Sequence, residues 1–372
     1  MALIFNTDLS TSTLLYSFNN NVVNFKSNTS GVTPVKATIL TNGNTYTIFP
    51  DPAGNFYFNF KGIKSVELNV GNYSETINPD LATTLVYNWT NKTILSETIT
   101  FTVFLSNSTT EVATRAVTWL NGYVNLIDFK QQYPKYVLNY NSFLLKPLPL
   151  VKYWAGLHFD ISFYSNPAAN FTFKNNSASI QSTFTNTNKV PRLFFSDGRL
   201  DISIEDYVPF NDGFNSCTIT SGSNIINFFV EKIQSYCSGT YLKWMNSFGG
   251  WSYWLFYKGN ENISVKEMGV IDNDFNNLSD TVSPSYSLGN ESQNVISLVQ
   301  ENITPNEMEL LRDLLDSVKV YLFTGVPFTQ SSDKDWLEVT IKGSQYRLSN
   351  SREKLNSLSL TVELPDNVNR KL

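Results

Sequence analysis

Hydrophobic and polar residues alternate along most of this chain, which is the pattern of a strand with one buried face. Residues 35–40 and 45–49 alternate on either side of Thr41-Asn42-Gly43-Asn44. Asn-Gly between two such runs predicts a tight hairpin, because both residues tolerate the positive φ of a two-residue turn. Residues 14–18 and 21–25 flank an Asn-rich turn. Pro50-Asp51-Pro52-Ala53-Gly54 is a turn by composition, and the run after it sets Phe56, Phe58 and Phe60 on one side of a strand. Residues 96–105, 158–163, 170–173, 217–220, 225–230, 335–341 and 357–364 repeat the alternation. Gly249-Gly250 breaks the densest aromatic run, 241–256, and predicts another tight hairpin, with Trp244 before it and Trp251 and Trp254 after it. Turn residues recur about every ten positions. Together they predict a mainly β protein of two or three antiparallel β-sandwich or barrel-like domains.

One segment has helical periodicity. Thr304-Pro305-Asn306-Glu307 supplies a capping hydroxyl, a proline at the first helical position and a carboxylate three residues on, and Met308, Leu311, Leu314, Leu315 and Val318 follow at helical spacing. A single short C-terminal helix is expected near 305–317. Pro134, Pro147 and Pro149 lie in a stretch poor in strand and helix formers. They suggest domains at 1–130, 131–212 and 213–372.

Composition narrows the function classes. The 372 residues are 14% aromatic and only 16% charged, so the chain has the means to bury a core and a surface dominated by Asn, Ser and Thr. Few long charged side chains stand in the way of a close subunit contact. A net charge of −5 without any basic run argues against direct nucleic-acid binding. No stretch has the length and apolarity of a membrane span, and the N-terminus lacks the basic and apolar regions of a secretory signal. Two cysteines, Cys217 and Cys237, are too few for a disulfide framework and read as buried thiols, with pairing across a hairpin as the alternative.

Candidate chemistry is sparse. The one histidine, His158, sits between Leu157 and Phe159 in a strand pattern and reads as a strand residue rather than a general base. Asp197, Asp201, Glu205 and Asp206 cluster around one turn, and Asp272, Asp274 and Asp280 around another. Paired carboxylates serve glycoside hydrolysis, but acids at strand ends are the simpler reading. Asp272-Asn273-Asp274 lacks the glycine and the distal glutamate of a calcium loop. There is no phosphate loop, nucleophile elbow or dinucleotide fingerprint. The expectation is a non-enzymatic chain without cofactor or metal.

The run from Tyr241-Leu242-Lys243-Trp244-Met245-Asn246 through Gly249-Gly250-Trp251 to Trp254-Leu255-Phe256 resembles a pattern in virion proteins of tailed phages infecting Bacteroidetes. Ile303-Thr304-Pro305-Asn306-Glu307-Met308, 314–321 and Val362-Glu363-Leu364-Pro365 are similar to the same group, so the resemblance covers mainly 215–365. It implies a tail or baseplate ring or collar subunit, located in the virion and assembled in the host cytoplasm. Its expected partners are copies of itself, six-fold by family analogy, and other tail or baseplate proteins. The family offers no catalytic residue. Trp244, Trp251, Tyr253 and Trp254 are the candidate functional side chains, either as core and subunit contact or as a glycan-stacking platform. A tail-tip receptor- or glycan-binding module is the alternative, with a head-tail connector or head decoration protein behind it.

Overall fold

The computed structural model describes residues 3–69, 73–89, 93–124, 142–146, 150–234, 239–272, 285–342 and 355–367. The protein is mainly β, with several largely antiparallel sheets. It divides into two compact units. The first comprises Met1–Gln234, Asn246–Trp251 and Phe328–Asp333; the second comprises Ser235–Met245, Ser252–Pro327 and Lys334–Leu372.

The first unit holds two sandwiches. In one, a three-stranded sheet (Ile4–Thr7, Val22–Lys26, Asn55–Asn59) packs on a five-stranded sheet (Leu15–Tyr16, Thr110–Leu120, Ile94–Leu105, Pro34–Thr41, Asn44–Ile48). Phe25, Phe56, Ile39, Phe101, Val103 and Trp119 fill the space between. Phe25 lies 5.3 Å from both Phe56 and Phe101. Each such ring contributes roughly 1.5–3 kcal/mol by leaving water. The predicted hairpin is present: Thr41 faces Asn44, and Asn42 and Gly43 carry φ of 45° and 78°. Residues 14–18 and 21–25 enter different sheets; Leu15 and Tyr16 pair in parallel with Trp119 and Leu120.

A helix that the alternation did not suggest, α1 (Lys61–Leu68), follows Phe60. It buries Lys64 and Leu68. Lys64 is neutralised by Glu67 at 2.6 Å and Glu97 at 2.8 Å, and Glu97 also accepts a hydrogen bond from Trp119 Nε1. The expectation of a single helix is corrected here. Its N-cap, Phe60, offers no side-chain acceptor and its first turn has no acid, so nothing in the sequence marks where this short helix starts.

The second sandwich packs a four-stranded sheet (Ser142–Leu144, His158–Ser165, Pro191–Asp197, Val86–Asn88) against a five-stranded one (Leu150–Ala155, Asn224–Gln234, Gly213–Ser221, Phe171–Asn175, Ile180–Phe184). Phe163 meets Phe171 edge-on at 4.8 Å, and Phe195 stacks on Phe210 at 5.5 Å. Leu150–Ala155 runs parallel to Asn224–Gln234. Val86–Asn88 pairs with residues 191–193, and 213–234 completes the five-stranded sheet. The division between units therefore falls after Gln234, not near 130 or 212. Strand pairing over a hundred residues sets it, and the proline-rich stretch does not.

The second unit is built on a seven-stranded sheet in the order Trp251–Phe256, Thr240–Met245, Val320–Phe323, Trp336–Ile341, Asn356–Asp366, Asn290–Ile303, Lys258–Glu267, whose first residue, Trp251, falls to the first unit. The predicted helix, α2 (Pro305–Leu315), packs on this sheet through Met308, Leu311 and Leu314. Its capping box is formed: Thr304 Oγ1 accepts from Glu307 N–H, and Glu307 accepts from Thr304 N–H at 2.7 Å.

Candidate functional site

Trp244, Trp251, Tyr253 and Trp254 are all buried. In the first unit, Trp251 lies 6.1 Å from Trp89 and its carbonyl accepts a hydrogen bond from Lys146 Nζ at 2.8 Å. The turn leading to it is tightly held. Asn246 Oδ1 accepts from the N–H groups of Phe248 and Gly250, and Gly249 has φ of +74°. A Cβ on Gly249 or Gly250 would press into the carbonyl oxygens of Asn121 and Leu145. In the second unit, Tyr253 stacks on Tyr241 at 5.9 Å and Trp254 Nε1 donates to Gln300. Lys243, fully buried on the same strand as Trp244, sets its ammonium 4.1 Å from the Trp336 ring. These rings are interior packing, and none presents a face to solvent for stacking a sugar.

Sequence reading missed a layer of buried charge in the first unit. Arg192 forms paired hydrogen bonds to Asp160 and to Glu75, all at 2.9–3.0 Å, with its guanidinium 4.7 Å from Trp89. Burial pushes Lys146 down to about 8, opposed by the Asp160 carboxylate. Asp197 is buried under Arg199, which also binds Asp80. The hydrogen bonds it donates to Asp197 and Asp80 hold the Arg199 guanidinium above its ordinary range, and the bond from Arg199 holds Asp80 below the usual carboxylate range. A guanidinium between two carboxylates satisfies the donors of one and lone pairs of the others, so the charges of this layer are held by paired hydrogen bonds. No local pattern announces it, because its members come from separate stretches of chain.

His158 and Ser331 lie 2.9 Å apart and superficially suggest a nucleophilic pair. The proton count argues otherwise. Ser331 Oγ donates its single proton to the Asp197 carbonyl at 2.8 Å, so His158 Nδ1 must be the donor toward Ser331 and is not acting as its base. The acids near residue 200 are likewise dispersed. Glu205 pairs with Lys232, Asp206 caps the short helix at Ile204–Asp206, and Asp201 is exposed. Asp274, Asp280 and Cys237 lie outside the described residues. Cys217 is a buried thiol pushed up to about 12 by burial. Among the described residues no group of three His, Cys, Asp or Glu side chains is arranged to hold a metal.

What the units do present outward is apolar side chains on sheets. On the outer face of the five-stranded sheet of the second sandwich, Phe214, Ile225 and Phe229 are each more than half exposed. Cross-strand pairing sets Phe214 opposite Glu231 and Phe229 opposite Ser216, so each ring faces a polar partner on the neighbouring strand. In the second unit, Lys258–Glu267 is the last strand of its sheet, and Ile263 and Val265 on it are 65% and 61% exposed.

No family model matches this sequence, and no curated protein matches it. Solved structures similar to it include domains A168–A170 of titin, at 10% identity and a TM-score of 0.30, covering 80% of this chain and 92% of that one. A bacterial ice-binding adhesin of 1.5 MDa is similar at 10% identity and 0.19, covering 82% and 93%. Fibronectin(III)-like modules of Clostridium thermocellum CbhA are similar at 7% identity and 0.18, covering 62% and 94%.

Proposed function

We propose that this chain is a non-enzymatic structural subunit of a tailed-phage virion, placed in the tail or baseplate, that works by packing against copies of itself and neighbouring proteins. The observation that carries the reading is where the apolar groups lie. Buried Lys64, Arg192 and Asp197 are paired with opposite charges within the fold, while Phe214, Ile225, Phe229, Ile263 and Val265 are left on exposed sheet surfaces. Exposed apolar patches on sheets are what subunit contacts cover. The low charged fraction, 16%, points the same way. The virion placement rests on the resemblance at 241–256, 303–321 and 362–365. Mass spectrometry of purified virions tests it: the protein is expected among the particle components, and its absence overturns the placement. The glycan-binding alternative has lost its platform, since the four rings proposed for it are interior.

A further inference from the structure

The seven-stranded sheet of the second unit ends on a long β-arm. Lys258–Glu267 pairs antiparallel with Asn290–Ile303 over ten residues, and the ladder continues through Met268 to Gly289 and Leu288 to Gly269 into a second pair, Val270–Asp272 with Ser285–Ser287. Among the described residues no strand lies on the far side of Lys258–Glu267. Its outward N–H and C=O groups form an open edge.

The arm also has a sided chemistry. Residues opposite one another in a ladder share a face. Following the register, Trp244 faces Val320, which faces Val339; across the next strands, Ile341 faces Val362, and Val362 and Leu360 face Ile296 and Leu298. Leu298 faces Gly259, so Ile263 and Val265 continue this same face outward. Leu298, Leu360 and Val362 are buried, whereas Ile263 and Val265 are largely in solvent. The opposite face of the edge strand carries Asn260, Asn262, Ser264 and Lys266. The core face thus runs out along this strand as Ile263 and Val265 between Glu261 and Glu267, and among the described residues no strand pairs with its outer edge.

Resting on the reading of this chain as an assembling subunit, we propose that the edge strand Lys258–Glu267 pairs antiparallel with the same strand of a second copy, across a two-fold axis at Ile263. Side-chain pairing selects this register. Two two-fold registers that keep the apolar faces together use nine of the ten residues. The one centred on Asn262 sets Ile263 against Glu261 and Val265 against Gly259, so no apolar residue meets another, whereas apolar cross-strand pairs favour an antiparallel pairing. A centre at Ser264 opposes Glu261 to Glu267. The centre at Ile263 sets Ile263 against Ile263, Val265 against Glu261 and Lys266 against Asn260, with no like-charged pair. It joins the two sheets into one, with their apolar faces on the same side.

The test uses the recombinant full chain. Light scattering and native mass spectrometry are expected to show a concentration-dependent dimer. Ile263→Lys with Val265→Lys should weaken it at least about a hundredfold, because lysine on an edge strand blocks pairing and the two-fold doubles each change. Ile263→Cys is expected to form an intermolecular disulfide on mild oxidation, mapped by peptide mass spectrometry as 263 to 263, since opposed residues of adjacent strands are close enough to bridge. Tyr57→Cys, on an exposed residue of the first unit, should not. A strictly monomeric wild type, a dimer indifferent to the two lysines, or no 263-to-263 link overturns the contact. A monomer that is nevertheless present in purified virions overturns the contact alone, whereas a linked dimer absent from virions overturns the virion placement alone.

Discussion

At the scale of single residues, this protein separates side chains whose role is written in their neighbours along the chain from those whose role is not. The Phe56 and Phe101 rings fall on the buried side of alternating strands and are buried. Arg192, Asp160, Glu75 and Lys146 are ordinary charges in the sequence, and only the fold brings them together. Lys146 has a testable signature. Its ordinary value of 10.5 falls to about 8 in the folded state. Below about pH 8 the ammonium is charged folded and unfolded, so its full burial cost is felt. As pH rises from about 8 toward 10.5, only the unfolded chain keeps the proton and stability increases. The gain is on the order of 3 kcal/mol. Urea unfolding at pH 7 and pH 10 should show it in the wild type and not in Lys146→Met. Trp251→Ala should lower stability by about 3–5 kcal/mol through the cavity beside Trp89, read by thermal unfolding, without changing retention on a glycan array.

At the scale of elements, prediction succeeded where the signal is local. The Asn42-Gly43 hairpin, the Gly249-Gly250 turn and the helix at Pro305–Leu315 each carry their cause within a few residues. Thr304→Ala removes the cap acceptor and should cost about 1 kcal/mol in chemical unfolding of the second unit. Gly250→Ala should cost more, about 2 kcal/mol or above, because the new methyl meets the Leu145 carbonyl and rigid backbone cannot move aside. Restoration to wild-type stability by simple repacking of side chains is not expected there, since the obstacle is main chain. The helix Lys61–Leu68 escaped notice because it has no capping residue to announce it, and its buried Lys64 is held by a pair of glutamates, one of them thirty-three residues away.

At the scale of the whole molecule, the chain divides into two compact units, and calorimetry of the full chain should resolve two unfolding transitions. Merging into one sharp transition would contradict the division after Gln234. The proposed edge contact has a consequence for assembly. A two-fold strand pair is isologous and closes at two copies, so a six-fold ring needs a second, different surface. The exposed Phe214, Ile225 and Phe229 face in the first unit is available for it.

The sequence by itself determined that the chain is mainly β and where most strands and one helix lie, because alternation, turn residues and caps act over two to ten positions. Tertiary structure alone decided which strands share a sheet, where one unit ends, which buried charges pair, which aromatic rings are interior, and that among the described residues Lys258–Glu267 stands at an edge. Those outcomes depend on pairing between residues far apart in the chain, and an edge exists only by virtue of the strand that is not beside it.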